Sequence, residues 1–189
     1  MDVKLSCSCG SVKGKVINTS SDDGNRIVCC CNDCQAFARH LGCDETVLDS
    51  FGGTDIFQVA QAQIRITQGA EHLRALRLSP TGLTRWYTDC CNTPVANTVN
   101  AKLPFVGLIH TFIVVKGSRD KVLGPVKAYV QTQYAIGAPD YPYSSKKFPL
   151  GVTVKIALKI LKWKSKGLEQ PSVFFDEQGL PVSKPTVIA

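Results

Sequence analysis

Alternation of apolar and polar positions dominates the first two thirds of the chain. Val3-Lys4-Leu5 and Val12-Lys13-Gly14-Lys15-Val16-Ile17 flank a Cys7-Ser8-Cys9-Gly10-Ser11 knot, the pattern of two strands around a tight knuckle. The polar stretch from Ser20 to Asn25 predicts a loop. Arg26-Ile27-Val28 predicts a strand that runs into a second cysteine knot. Residues 35–42 predict one short helix stopped by Gly42. Short alternating runs follow, separated by turn signals: Asp55-Ile56-Phe57-Gln58-Val59, Gln63-Ile64-Arg65-Ile66-Thr67, residues 73–78 before Ser79-Pro80-Thr81-Gly82, and Thr84-Arg85-Trp86-Tyr87-Thr88. Thr111-Phe112-Ile113-Val114-Val115 is apolar enough for a buried strand. So many short strands predict a mainly β body.

The last third changes period. Lys155, Lys159, Lys162 and Lys166 are spaced four, three and four, which puts them in one narrow stripe of a helix over residues 152–166, with Gly167 as its C-cap. Residues 152–160 also alternate like a strand. The rest of the helix is so apolar that burial against the sheets is expected; a basic helix lying on an anionic membrane is the lesser reading. Phe174-Phe175-Asp176-Glu177-Gln178-Gly179-Leu180-Pro181 predicts a strand and tight turn. The expected organisation is one domain over residues 1–138 and an extension over residues 139–189, a helix plus a hairpin packed on it.

Bulk properties narrow the function classes. The 189 residues suit one domain, and 44% hydrophobic content supports a sizeable core. No apolar run approaches the ~18–20 residues of a membrane span. Met1-Asp2-Val3-Lys4-Leu5-Ser6-Cys7 lacks the apolar stretch of a signal peptide, so a cytoplasmic location is expected. The 22 Lys and Arg residues are scattered along the chain and leave a formal charge of +7, which shrinks if cysteines ligate metal as thiolates. Without an RNA-binding signature or interleaved aromatic and basic residues, no nucleic-acid partner is expected.

The cysteines carry the chemistry. Seven of the nine fall in three knots: Cys7-Ser8-Cys9, Cys29-Cys30-Cys31-Asn32-Asp33-Cys34 and Cys90-Cys91. In a chain without an export signal, such knots favour metal or redox chemistry over a disulfide framework. Cysteines one or two residues apart can aim both sulfurs at one point, as a soft divalent ion with about four N or S ligands requires. Cys29, Cys31 and Cys34 follow C-x-C-x-x-C, three ligands from six residues. Three protein ligands leave a tetrahedral position open, the arrangement of a catalytic zinc; Cys43 or His40 would close it into a structural one. Strand alternation turns Cys30 away from that site, and would also send Cys90 and Cys91 to opposite faces. Vicinal disulfides at Cys29–Cys30 or Cys90–Cys91 would be strained. Of His40, His72 and His110, the last is best placed to face a pocket.

At these knots the chain resembles the zinc proteins related to glutathione-dependent formaldehyde-activating enzyme and centromere protein V. That pattern reads C-x-C-G, then C-x-C-x-x-C, then C-x-x-C-G-T-P-L. Cys7-Ser8-Cys9-Gly10 matches the first part and Cys29 to Cys34 the second. Aligning Thr93-Pro94-Val95 on T-P-L puts Cys91 on the last cysteine, Asn92 on the glycine and Thr88 on the other cysteine, with Cys90 displaced beside Cys91. The resemblance covers roughly residues 1–115. It implies coiled antiparallel sheets of the β-tent type around one or two zinc ions. It implies a structural site from Cys7, Cys9 and Cys91 with a further ligand, for which Cys90 is the candidate. It implies a second zinc on Cys29, Cys31 and Cys34 with a free position, where a thiol such as glutathione is joined to an aldehyde or the adduct is cleaved. Arg26, Arg39 and Arg85 are the candidates to meet the carboxylates of such a thiol. The expected function is thus a zinc-dependent carbon–sulfur lyase, with a non-catalytic zinc-scaffolded binding module as the alternative.

Overall fold

In the computed structural model, which describes residues 1–19 and 25–188, two sheets enclose the main core. Strands β1 (Val3–Ser6) and β2 (Lys13–Val16) pair antiparallel with Val3 opposite Val16 and Ser6 opposite Lys13, so the first cysteine knot is the turn between them. The loop expected from Ser20 lies outside the described residues as far as residue 24; Asn25 already opens β3 (Asn25–Cys29). Helices α1 (Asn32–His40) and α2 (Asp44–Val47) follow. Then come β4 (Thr54–Val59), β5 (Ile64–Gln68), β6 (Leu73–Arg77), β7 (Thr84–Thr88), β8 (Pro94–Thr98), β9 (Val106–Ile109) and β10 (Ile113–Val114). The remainder holds α3 (Arg119–Leu123), β11 (Ala128–Val130), β12 (Ser144–Ser145), α4 (Leu150–Lys164) and β13 (Thr186–Val187).

The smaller sheet has the order β10-β1-β2-β5 and the larger β12-β11-β3-β4-β9-β8-β7-β6-β13. Pairing is antiparallel through the middle of both. Parallel pairs occur only where later segments join the larger sheet, at β3–β11, β11–β12 and β6–β13. The protein is therefore mainly β, with a C-terminal helix. Alternation explains β1, whose Val3 and Leu5 are buried while Lys4 faces out. It fails for β8 and β9, where every residue is buried. A strand covered on both faces has no polar side to display, and so no period of two.

Three local expectations need correction. The first helix begins at Asn32, three residues before the apolar pattern does, because Cys31 caps it. The strand expected at residues 111–115 is a 3-10 turn, His110–Phe112, followed by the two-residue β10. The expected strand and turn after Phe174 reduce to a single bridge between Phe175 and Pro181 around a turn in which Asp176 N–H donates to the Leu180 carbonyl. Phe174 and Phe175 nevertheless anchor this tail, with ring centroids 5.0 and 6.0 Å from the buried Trp86.

Helix α4 ends before Gly167, which takes a left-handed φ of 64°, and the strand reading of residues 152–160 is overturned. Its expected burial is overturned too: Trp163 is the only residue of the helix that is buried. Val152 packs against the body and Trp163 is buried, Ile156 and Ile160 face Val99, Leu103 and Phe105 across a cavity of about 310 Å³, and the other apolar residues of the helix are exposed. No helix among the described residues is long and apolar enough to cross a membrane.

Candidate metal centres

The first centre is built by two turns. Between β1 and β2, Cys7 N–H donates to Val12 O at 3.0 Å and Gly10, at φ 77°, folds the chain back so that its N–H reaches Cys7 O. Between β7 and β8, Thr88 N–H donates to Thr93 O at 3.0 Å, with Asn92 in a left-handed conformation at φ 53°. The turns are tied together by Ser8 N–H donating to Thr93 Oγ1 at 3.0 Å. Four sulfurs converge where they meet: Cys7–Cys9 3.5 Å, Cys7–Cys90 3.9 Å, Cys9–Cys90 3.5 Å and Cys90–Cys91 3.8 Å. A tetrahedron of sulfurs about 2.3 Å from a zinc ion has edges of about 3.8 Å. The spacing therefore fits a four-sulfur metal site.

Cys90 and Cys91 share this site because they lie in the turn, not on a strand. The alternation that would separate them does not operate there, and the expectation of opposite faces is overturned. Their 3.8 Å separation is far from a bonded disulfide. Thr88, which stands where the resembling pattern has a cysteine, keeps its Oγ1 3.4 Å from the Cys91 sulfur, and Thr93 Oγ1 lies 3.2 Å away. Burial works against ionisation of Cys91, but hydrogen bonds from Ser8, Thr88 and Thr93 bring its thiol down to about 4. Thr88 thus supports the Cys91 sulfur through its hydroxyl.

The second centre is built by a strand end and a helix start. Cys29 is the last residue of β3, and Cys31, two positions on, lies on the same side. Cys31 is the N-cap of α1; its sulfur accepts from Cys34 N–H at 3.4 Å, and Cys34 sits in the first turn. The three sulfurs lie within 4.8 Å of one another. Cys29 and Cys34 are buried and Cys31 is half-buried. Hydrogen bonds from Cys29 and then Cys34 hold the Cys31 thiol down at about 2, while contacts with Cys31 and then Cys34 push the Cys29 thiol up. The N-cap position sets the Cys31 sulfur at the positive end of the helix dipole, which favours its thiolate form. Neither His40 nor Cys43 joins the group among the described residues: His40 is exposed at the end of α1, and the Cys43 sulfur lies 3.5 Å from Ala38 O. Cys30 is buried outside it, its thiol raised to about 11 by burial.

Arg85 completes this centre. It is 2% exposed, yet one guanidinium nitrogen lies 4.0 Å from the Cys34 sulfur and donates to Asn97 Oδ1 at 3.2 Å. Another reaches Asp33 Oδ2 at 3.4 Å, and the group stacks over the Phe37 ring at 5.5 Å. A buried cation beside three thiols compensates the net negative charge that three thiolates and a divalent ion would leave. The other two arginines do not serve this site. Arg26 is bound to Asp55 at 2.8 and 2.9 Å and to Asp120, and the exposed Arg39 donates to the buried Gln35 one helical turn back. His72 pairs with Asp89 at 2.8 Å. His110 does face a cavity, of about 320 Å³, shared with Arg26, Asp55, Arg119 and Tyr141.

A family model matches this sequence over residues 1–184, which takes in both sulfur groups and α4. The chain belongs to DUF6151, a family of unknown function. No curated protein matches the chain. Among solved structures it is similar to the crystal structure of a Rhodobacter sphaeroides protein, at 21% identity and a TM-score of 0.43, over 65% of this chain and 96% of that one.

Proposed function

We propose that this DUF6151 protein holds two zinc ions with different tasks. The Cys7, Cys9, Cys90 and Cys91 ion is a structural clip, and the Cys29, Cys31 and Cys34 ion is the centre of a carbon–sulfur lyase of the formaldehyde-activating type. One observation carries the reading: three sulfurs converge at a helix N-terminus without a fourth side-chain ligand among the described residues. Cys29, Cys31 and Cys34 would hold the zinc ion, which when bound would supply an open coordination position that lowers the proton affinity of an entering thiol. The reaction class is addition of a thiol sulfur to an aldehyde carbon, and its reversal. The S–C bond forms as the carbonyl oxygen takes up a proton. Cys31, the half-buried member, marks the side from which a thiol such as glutathione enters. Arg85 and the N–H groups of the first turn of α1 hold the site's charge balance while Cys29 and Cys34 keep it dry.

The rival reading, a non-catalytic zinc scaffold that binds a partner, draws on the exposed apolar residues of α4. Cobalt-substituted protein titrated with glutathione separates the two. A saturable change in the cobalt absorption bands, absent from Cys31→Ser, is the expected result. If the bands do not respond to glutathione while metal stays bound, the site is closed and the scaffold reading stands.

A further inference from the structure

Helix α4 carries two apolar stripes where a surface helix needs one. Val152, Ile156, Ile160 and Trp163 face the body, as described above. The opposite stripe is Leu150, 79% exposed, Val154, 48%, Leu158, 61%, and Leu161, 63%. Spacings of four, four and three place these four within an arc of about 80° at 100° per residue. Just before the helix, Tyr143 is 82% and Phe148 41% exposed.

Charge is segregated onto the same segment. Residues 144–167 contain Lys146, Lys147, Lys155, Lys159, Lys162, Lys164 and Lys166, and neither Asp nor Glu. These seven lysines equal the whole formal charge of +7, so the remaining chain, with 15 basic and 15 acidic residues, is balanced. Lys155 and Lys162 border the apolar stripe on one flank, and Lys164 lies on the other, bonded to Lys102 O and Glu169. Beside the first flank, Lys127, Lys155, Lys159 and Lys162, with Asn25, Val152 and Leu158, line a groove of about 500 Å³.

We propose that α4 is an interfacial helix that seats the protein on an anionic phospholipid surface. The exposed leucines enter the boundary between headgroups and acyl chains. The stems of Lys155 and Lys162 run beside the stripe and carry their ammonium groups to the phosphates, and the groove takes a headgroup. A second copy fits this face poorly, because a two-fold contact would set the same lysines against each other with no acidic residue on the helix to receive them. The convex stripe, flanked by long basic side chains, suits a deformable lipid layer better than a preformed protein groove. This inference does not depend on the metal centres.

The test is vesicle flotation of the full chain at physiological salt. Phosphatidylcholine mixed with phosphatidylserine should carry the protein up, and phosphatidylcholine alone should not. Leu158→Glu with Leu161→Glu, at exposed positions, should abolish flotation with unchanged circular dichroism and metal content. Lys155→Gln with Lys162→Gln should weaken partition by about 30-fold. Failure to float on the mixed vesicles overturns the proposal, as does equal flotation on both kinds. Retention on polyglutamate without flotation would assign the face to an acidic protein and overturn it too. So would light scattering that shows a dimer dissolved by the leucine substitutions.

Discussion

The two sulfur groups invert the usual relation between depth and closure. The four-sulfur group lies in two turns, with Cys7 buried, Cys9 exposed and Cys90 and Cys91 half-buried. The three-sulfur group lies where β3 meets α1, with two of its cysteines buried and Arg85 packed behind it. Four sulfurs complete a tetrahedron by themselves, and such a site needs no shelter to be inert. Three sulfurs need the rest of the fold: a buried cation, a helix N-terminus and restricted access. The group with fewer sulfurs is the one that the rest of the fold supports more heavily, and this is the difference on which the proposed division of tasks rests.

The comparison can be broken at several points, and the largest effect should come from the clip. The Cys7 to Cys90 contact joins residues 83 apart in sequence and ties the smaller sheet to the β7–β8 turn. Cys7→Ser should lose one metal equivalent and lower unfolding stability by several kcal/mol, a share of the ~10–16 kcal/mol that structural zinc supplies in small domains. Thermal melting followed by circular dichroism measures it. A melting temperature equal to wild type would show that the clip is not structural.

Arg85→Met comes next. It removes the cation beside Cys34 and leaves Asp33 and Asn97 without their partner. Metal affinity at the second centre should fall about 10- to 100-fold, as for other groups that support ligands from behind, while the first centre is unchanged. Competition with a chromogenic chelator reads both. Cys31→Ser should have a smaller effect on stability than Cys7→Ser, because Cys31 is a half-buried helix cap, not a link between sheets. It should lose the second metal equivalent and all response to thiols.

The smallest effect concerns a region without sulfur. Burial, and then the charge of Arg119, hold the His110 imidazole below its ordinary value of 6.5. A depressed value in the fold means that the unfolded chain binds the proton first. His110 therefore contributes stability that is complete above about pH 6.5 and is lost as pH falls through the folded value. His110→Gln should flatten the acid limb of melting temperature against pH relative to wild type. The difference between the two proteins should survive removal of the metals; if it vanishes with them, the cavity and the centres are coupled.

Much of this architecture is legible in spacing. The C-x-C-x-x-C spacing announces that the Cys29, Cys31 and Cys34 sulfurs converge; that Cys31 caps a helix beginning at Asn32 is not legible, because the apolar pattern starts only at Gln35. Alternation announces β1, β5 and β6. It is silent for β8 and β9, which are buried on both faces. Cys90 and Cys91 read as incompatible only while they are placed on a strand; the turn that reconciles them depends on Asn92 at positive φ and on hydrogen bonds between residues distant in sequence. Arg85 stands among the arginines near the knots, but only the fold separates it from Arg26, whose charge is already taken by Asp55. The lysine stripe of α4 is visible in sequence. That the leucines beside it face outward is not, since an apolar face does not reveal whether the body has room to cover it.

The central claim is that two metal centres exist and that only one is closed by the protein. Metal per chain, measured by elemental analysis on protein purified without added metal or chelator, tests it most directly when paired with Cys31→Ser. Two equivalents of zinc are expected in the wild type and one in a folded Cys31→Ser. Wild-type protein with no zinc, or a Cys31→Ser variant that keeps both equivalents, would contradict it.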